Sequence, residues 1–131
     1  NHLVITVGGG GIPVVEDNGN LKGVEAVIDK DFASEKMAEV IDADFLFILT
    51  AVDKVCLDFG KETERKISDM SVEEARQYIK DDQFPPGSML PKVESAVKFV
   101  ESGQAREAII ASLSKAKEAL LGNSGTKVYS Q

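Results

Sequence analysis

Residues 45–53, Phe45-Leu46-Phe47-Ile48-Leu49-Thr50-Ala51-Val52-Asp53, decide the fold. Five consecutive large apolar residues, with a phenylalanine at the first and third positions, read as a buried strand that ends at Thr50 and opens into a loop. Ala108-Ile109-Ile110-Ala111 repeats the signal, and residues 125–129 read as a closing strand. Residues 55–59 form a shorter extended candidate.

Helical spacing fills the intervals. Over residues 31–43, Ala33, Met37, Val40 and Ile41 fall on one face, with an Asp at the start able to cap the helix. Ser71-Val72-Glu73-Glu74 is a capping-box pattern that opens a second helix. Pro91 suits the first turn of a third, with Val93, Ala96, Val97 and Val100 on its apolar face and Gly103 as a stop. Residues 114–121 read as a short fourth helix. Strands alternating with helices predict an α/β fold, a three-layer αβα sandwich with a largely parallel sheet. Ligands of such sheets sit beyond the carboxyl ends of the strands, where residues 50–53 lie.

The N-terminal stretch carries a similar pattern. Leu3-Val4-Ile5-Thr6-Val7 reads as a buried strand feeding the run Gly8-Gly9-Gly10-Gly11, and its lack of lead-in suggests a start inside a fold. Asn18-Gly19 is a turn signal between short extended segments, so residues 14–23 are expected to form a hairpin or flap over the glycine loop.

With 131 residues, 43% hydrophobic and 28% charged, the chain suits one compact domain with its own core. A net charge of −7 argues against a nucleic-acid-binding surface, so any phosphate site must be local. A single cysteine, Cys56, and the lack of a leader or a membrane-length apolar run give a cytoplasmic expectation without a membrane partner. His2 is the only histidine, which leaves little material for a Ser-His-Asp triad or a histidine metal cluster. No residue is singled out as a metal ligand; lysine, aspartate and backbone groups must carry the chemistry.

The glycine run is neither a Walker loop nor a dinucleotide loop, because no Lys-Ser/Thr pair follows it and Pro13 stands where a third glycine would be. Its amides can form an anion nest, although a tight strand exit would use the same residues. Lys30 and Lys92 fall at predicted helix starts, where a positive side chain opposes the helix dipole. An anion between the two helix ends would explain both, whereas Asp29, Asp31 and Glu94 could instead neutralise them at a solvated surface. Asp31 can hold the ammonium groups in place or act as a plain helix cap.

Four segments together resemble carbamate kinase, in that family's order and over essentially the whole chain: residues 8–14, residues 23–31, residues 48–53 and residues 86–94, the last reading Pro86-Gly87-Ser88-Met89-Leu90-Pro91-Lys92-Val93-Glu94. The Val27-Ile28-Asp29-Lys30-Asp31 and Pro86-Gly87-Ser88-Met89 segments distinguish it from relatives that phosphorylate acetylglutamate, aspartate, glutamate or UMP. The resemblance implies an amino-acid-kinase-like fold, ATP/ADP with Mg2+, and reversible phosphoryl transfer to carbamate giving carbamoyl phosphate, often run towards ATP in arginine catabolism. It implies that Lys30 and Lys92 contact the transferring phosphate and that Asp31 organises them. Thr50, Val52, Asp53 and Met89 are implied for the nucleotide pocket, and Gly9, Gly10 and Gly11 for the phosphate and carbamate side. Residues 1–131 then correspond to a C-terminal ATP-binding lobe, with the acceptor-binding half outside this chain and a homodimer expected of the full-length protein. Such a lobe alone is expected to be inactive and to expose an apolar edge at residues 3–7. Ala51, Cys56 and Pro85 depart from residues often seen in relatives. Two other functions fit the residues: a kinase of another small carboxylate in the same superfamily, and a non-catalytic nucleotide-binding domain.

Overall fold

In a computed structural model, which describes residues 2–130, the chain builds a four-stranded sheet with helices on both faces. The elements in order are β1 (Val14–Asp17), β2 (Asn20–Gly23), α1 (Lys30–Val40), β3 (Phe45–Thr50), β4 (Cys56–Leu57), β5 (Arg65–Lys66), β6 (Asp69–Ser71), α2 (Val72–Lys80), α3 (Met89–Glu101), β7 (Glu107–Ser112), a 3-10 turn (Leu113–Lys115), α4 (Ala116–Leu120) and β8 (Thr126–Tyr129). The main sheet runs β3-β7-β8-β6. β3 pairs in parallel with β7, and β6 in parallel with β8. The β7–β8 pair is antiparallel, so the α/β sheet is mostly but not wholly parallel.

The apolar run of β3 is divided between two cores by the two-residue alternation of a strand. Leu46 and Ile48 are buried with Ala108 and Ile110 of β7 against Val93, Ala96, Val97 and Val100 of α3. Phe47 points the other way, onto Ile109, Ala111 and Ala119 of α4. This second layer is thin: Phe45 and Leu49 remain 38% and 40% exposed on it. Phe99 and Met70, both at 0% exposure, are the largest of the fully buried side chains.

Local chemistry sets the helix ends. Ser71 and Glu74 form the reciprocal capping box at α2, with both hydrogen bonds present. At α1 the cap is Asp29 and not Asp31: the Asp29 Oδ1 accepts from the Asp31 amide at 2.7 Å. Asp31 is thereby inside the first turn with its own carboxylate free to reach another element. The β1–β2 hairpin forms as the sequence predicts, with Asn18 at φ 52° and Gly19 at φ 79°, the two left-handed positions of a tight hairpin turn.

Residues 3–7 depart from the reading as a buried strand. They join no ladder among the described residues, and Leu3 and Ile5 are each 94% exposed. The apolar pattern encodes a preference for burial, but a strand also needs a partner for its backbone groups. The backbone forms local turns here instead, from Gly8 N to Thr6 O and from Gly10 N to Val7 O. Residues 3–5 are exposed as expected, but as irregular backbone and not as the edge of a sheet.

Candidate active-site cleft

Beyond the carboxyl end of β3, where α1 and α3 begin, lies a cleft of about 210 Å3. Asp29, Lys30 and Asp31 enter it from the start of α1, Thr50, Val52 and Lys54 from the end of β3 and the loop after it, Cys56 from the start of β4, and Gly87, Ser88, Met89 and Lys92 from the start of α3. Phe59 and Pro85 add apolar surface. The shape follows from the sheet order. β3 is an edge strand, and the helices that flank its face both present their N-terminal turns at the same end.

The centre of the cleft is an ion pair. The Lys92 Nζ donates to Asp31 Oδ2 at 2.7 Å, and the two side chains keep only 14% and 11% of their exposure. Lys30 sits 3.8 Å from the same carboxylate oxygen, with 62% of its side chain in solvent. Two ammonium groups thus converge on one nearly buried carboxylate, and each lies at a helix N-terminus that already favours anions. An ammonium has three donor hydrogens, so the bond to Asp31 orients Lys92 and leaves donors for a ligand. α3 also begins without a side-chain cap, since Ser88 instead donates its hydroxyl to Pro85 O at 3.3 Å. The lining therefore holds three lysines against two aspartates, in a chain whose net charge is −7.

The structure brings together Lys30, Asp31, Lys92, Thr50, Val52 and Met89 from the residues singled out in sequence. Asp53 is directed elsewhere, onto Lys115 at 2.5 Å, and that hydrogen bond holds its carboxyl below the usual carboxylate range. Gly9, Gly10 and Gly11 do not line this cleft. Gly10 and Gly11 border a separate apolar groove with Ile28, Phe32 and Met37 of the α1 side. Gly10 is required there: at φ 124° an added Cβ would stand 2.3 Å from the Ile28 carbonyl oxygen. Sequence reasoning missed Lys54 and Phe59, because loop residues carry no periodicity; Cys56 and Pro85, singled out in sequence only as departures from relatives, also line the cleft. Burial pushes the Cys56 thiol up from its ordinary value, with the nearby Glu64 charge acting in the same direction.

Among the described residues, no group of three or more His, Cys, Asp or Glu is arranged to hold a metal ion. The carboxylates of the cleft are already engaged, Asp29 with the Asp31 amide and Asp31 with Lys92. This donor set fits a hard cation carried mainly by phosphate oxygens and water, not one caged by protein. No helix among the described residues is long and apolar enough to cross a membrane.

Fold and cleft agree with a family assignment. The amino acid kinase family model matches residues 1–112, and the chain belongs to that family. Within it, the chain is 60% identical over 126 residues to the carbamate kinase of Clostridium perfringens, covering 96% of this chain and 40% of the relative. It is 54% identical to the carbamate kinase-like protein YqeA of Escherichia coli, over 97% of this chain and 41% of that protein. Among solved structures, carbamate kinase from Giardia lamblia bound to AMP-PNP superposes with a TM-score of 0.89 at 41% identity, covering 94% of this chain and 43% of that one. The chain thus spans about 40% of the length of the curated relatives it matches.

Proposed function

We propose that this chain is the nucleotide-binding lobe of a carbamate kinase, which transfers a phosphoryl group reversibly between ATP and carbamate. The observation that carries the reading is the convergence of Lys30 and Lys92 on the nearly buried Asp31 at two adjacent helix N-termini. The similarity to carbamate kinases, one of them bound to an ATP analogue, supports the nucleotide as ligand and carbamate as acceptor.

In this reading the apolar part of the cleft, with Val52, Met89 and Pro85, receives the base and sugar, while Thr50 offers a hydroxyl. Asp53 braces the loop through Lys115, so its part in nucleotide binding is indirect. Lys30 and Lys92 face the phosphoryl group in flight, and Asp31 is a positioning residue that fixes Lys92. Phosphoryl transfer depends chiefly on alignment and charge neutralisation, and carbamate is already an anionic nucleophile, so the chain needs no histidine base. Mg2+, when bound with the nucleotide, supplies further neutralisation of phosphate charge. Gly9, Gly10 and Gly11, outside the cleft, belong to the acceptor side of the site.

ATP formation from ADP and carbamoyl phosphate by the enzyme carrying this chain tests the reading. Lys92→Ala is expected to lower turnover roughly 10²–10³-fold with a smaller change in ATP affinity. Unchanged turnover would reduce Lys92 to a structural ion pair.

A further inference from the structure

Three lysines line the cleft, and their partners differ. Lys92 and Lys30 both approach Asp31. Lys54 takes part in no ion pair among the described residues; its Nζ donates to the Ser68 hydroxyl at 2.6 Å. A hydroxyl oxygen orients an ammonium without cancelling its charge. The neighbouring carboxylate, Asp53, could neutralise Lys54 but is held by Lys115 instead.

The backbone around Lys54 is braced. The next amide, Val55 N, donates to the buried Thr126 Oγ1 at 2.8 Å, and Val55 is fully buried. The Ser68 carbonyl accepts from Lys127 N at 2.9 Å, which ties the anchor to β8. Lys54 is therefore held at its base and near its tip, beside Thr50, Val52 and Cys56 on one wall. A fixed cation without a carboxylate partner, facing a cleft in an acidic chain, is suited to an anionic ligand group.

We propose that Lys54 is a further phosphate-binding residue of this cleft, one that makes affinity depend on the negative charge of the nucleotide. The proposal rests on the nucleotide reading given above and extends it to a residue outside the Lys30–Asp31–Lys92 group. Lys54 favours nucleoside diphosphates and triphosphates over the uncharged nucleoside, and Ser68 sets the direction of its ammonium.

Calorimetric titration of the chain and its Lys54→Gln and Lys54→Arg variants with ADP and with adenosine, at two salt concentrations, tests this. Lys54→Gln should weaken ADP binding about tenfold and flatten its salt dependence, leave adenosine within about twofold, and leave the thermal midpoint unchanged. Lys54→Arg should retain most of the ADP affinity. Unaltered ADP affinity in Lys54→Gln would overturn the proposal, as would equal weakening of ADP and adenosine, which assigns Lys54 to bracing the loop. Failure of the unsubstituted chain to bind either compound would overturn the nucleotide reading itself, and this inference with it.

Discussion

The Lys92 ammonium and the Asp31 carboxylate, 61 positions apart in sequence, meet at 2.7 Å and tie the first turn of α3 to the first turn of α1. Both side chains are nearly buried, so the pair is a structural joint as well as part of the candidate site. Removing one partner leaves the other charge poorly solvated. Asp31→Ala is expected to cost about 2–4 kcal/mol, towards the low end for a buried pair because some solvent reaches it. Combining Asp31→Asn with Lys92→Met should recover part of that loss. Urea denaturation of the single and double variants measures both, and additive losses would contradict the coupling.

Asp29 and Ser71 cap α1 and α2 through side-chain oxygens. Replacing either by alanine should cost about 1 kcal/mol. Only Asp29→Ala should also weaken ADP binding, because only α1 carries Lys30 and Asp31. Paired denaturation and binding measurements separate the two effects.

Glu35 lies on α1 one turn after Asp31 and is 6% exposed. Burial raises its carboxyl pKa, and the Glu39 carboxylate adds to the rise, while Lys36 and Lys98 oppose it. A carboxyl whose folded pKa exceeds its unfolded value binds more protons in the folded state, so its contribution to stability falls as pH rises from about 4.5 through the folded pKa. Glu35→Gln should therefore raise the urea midpoint at pH 7, and the gain should shrink towards pH 4. A variant that is equally stabilised at both pH values would remove the charge from the explanation.

The Cys56 thiol, raised by burial, should react with iodoacetamide more slowly than free cysteine at pH 8, and faster as pH rises. Saturating ADP should slow the reaction further, since Cys56 lines the cleft. Reaction at the free-cysteine rate with and without ADP would place the thiol outside the ligand's reach.

Much of the fold was legible because it rests on local rules. The apolar run of β3, the Ser71–Glu74 box and the Asn18-Gly19 turn each carry their own physical signal, and each appears where the sequence puts it. Lys30 and Lys92 were legible as helix-start lysines, and their meeting at Asp31 follows once α1 and α3 lie side by side. What local rules could not supply was choice of partner. Residues 3–7 have the composition of a strand but no ladder to join, and Asp53 has the position of a ligand contact but is captured by Lys115. Asp29 and Asp31 both suit a helix cap; Asp29 takes that place by accepting from the Asp31 amide, and the Asp31 carboxylate is left to Lys92. The glycine run lay next to β-strand signals in sequence, yet its close approach is to the Ile28 backbone, and it does not line the cleft that holds Lys30 and Lys92.

The central claim is that ADP binds between the end of β3 and the start of α3. Amide hydrogen exchange of the chain with and without Mg-ADP tests it most directly, because backbone amides on both walls report independently. The account predicts added protection in residues 50–56 and 87–92, with residues 14–23 unaffected. Protection confined to residues 105–130 would contradict it.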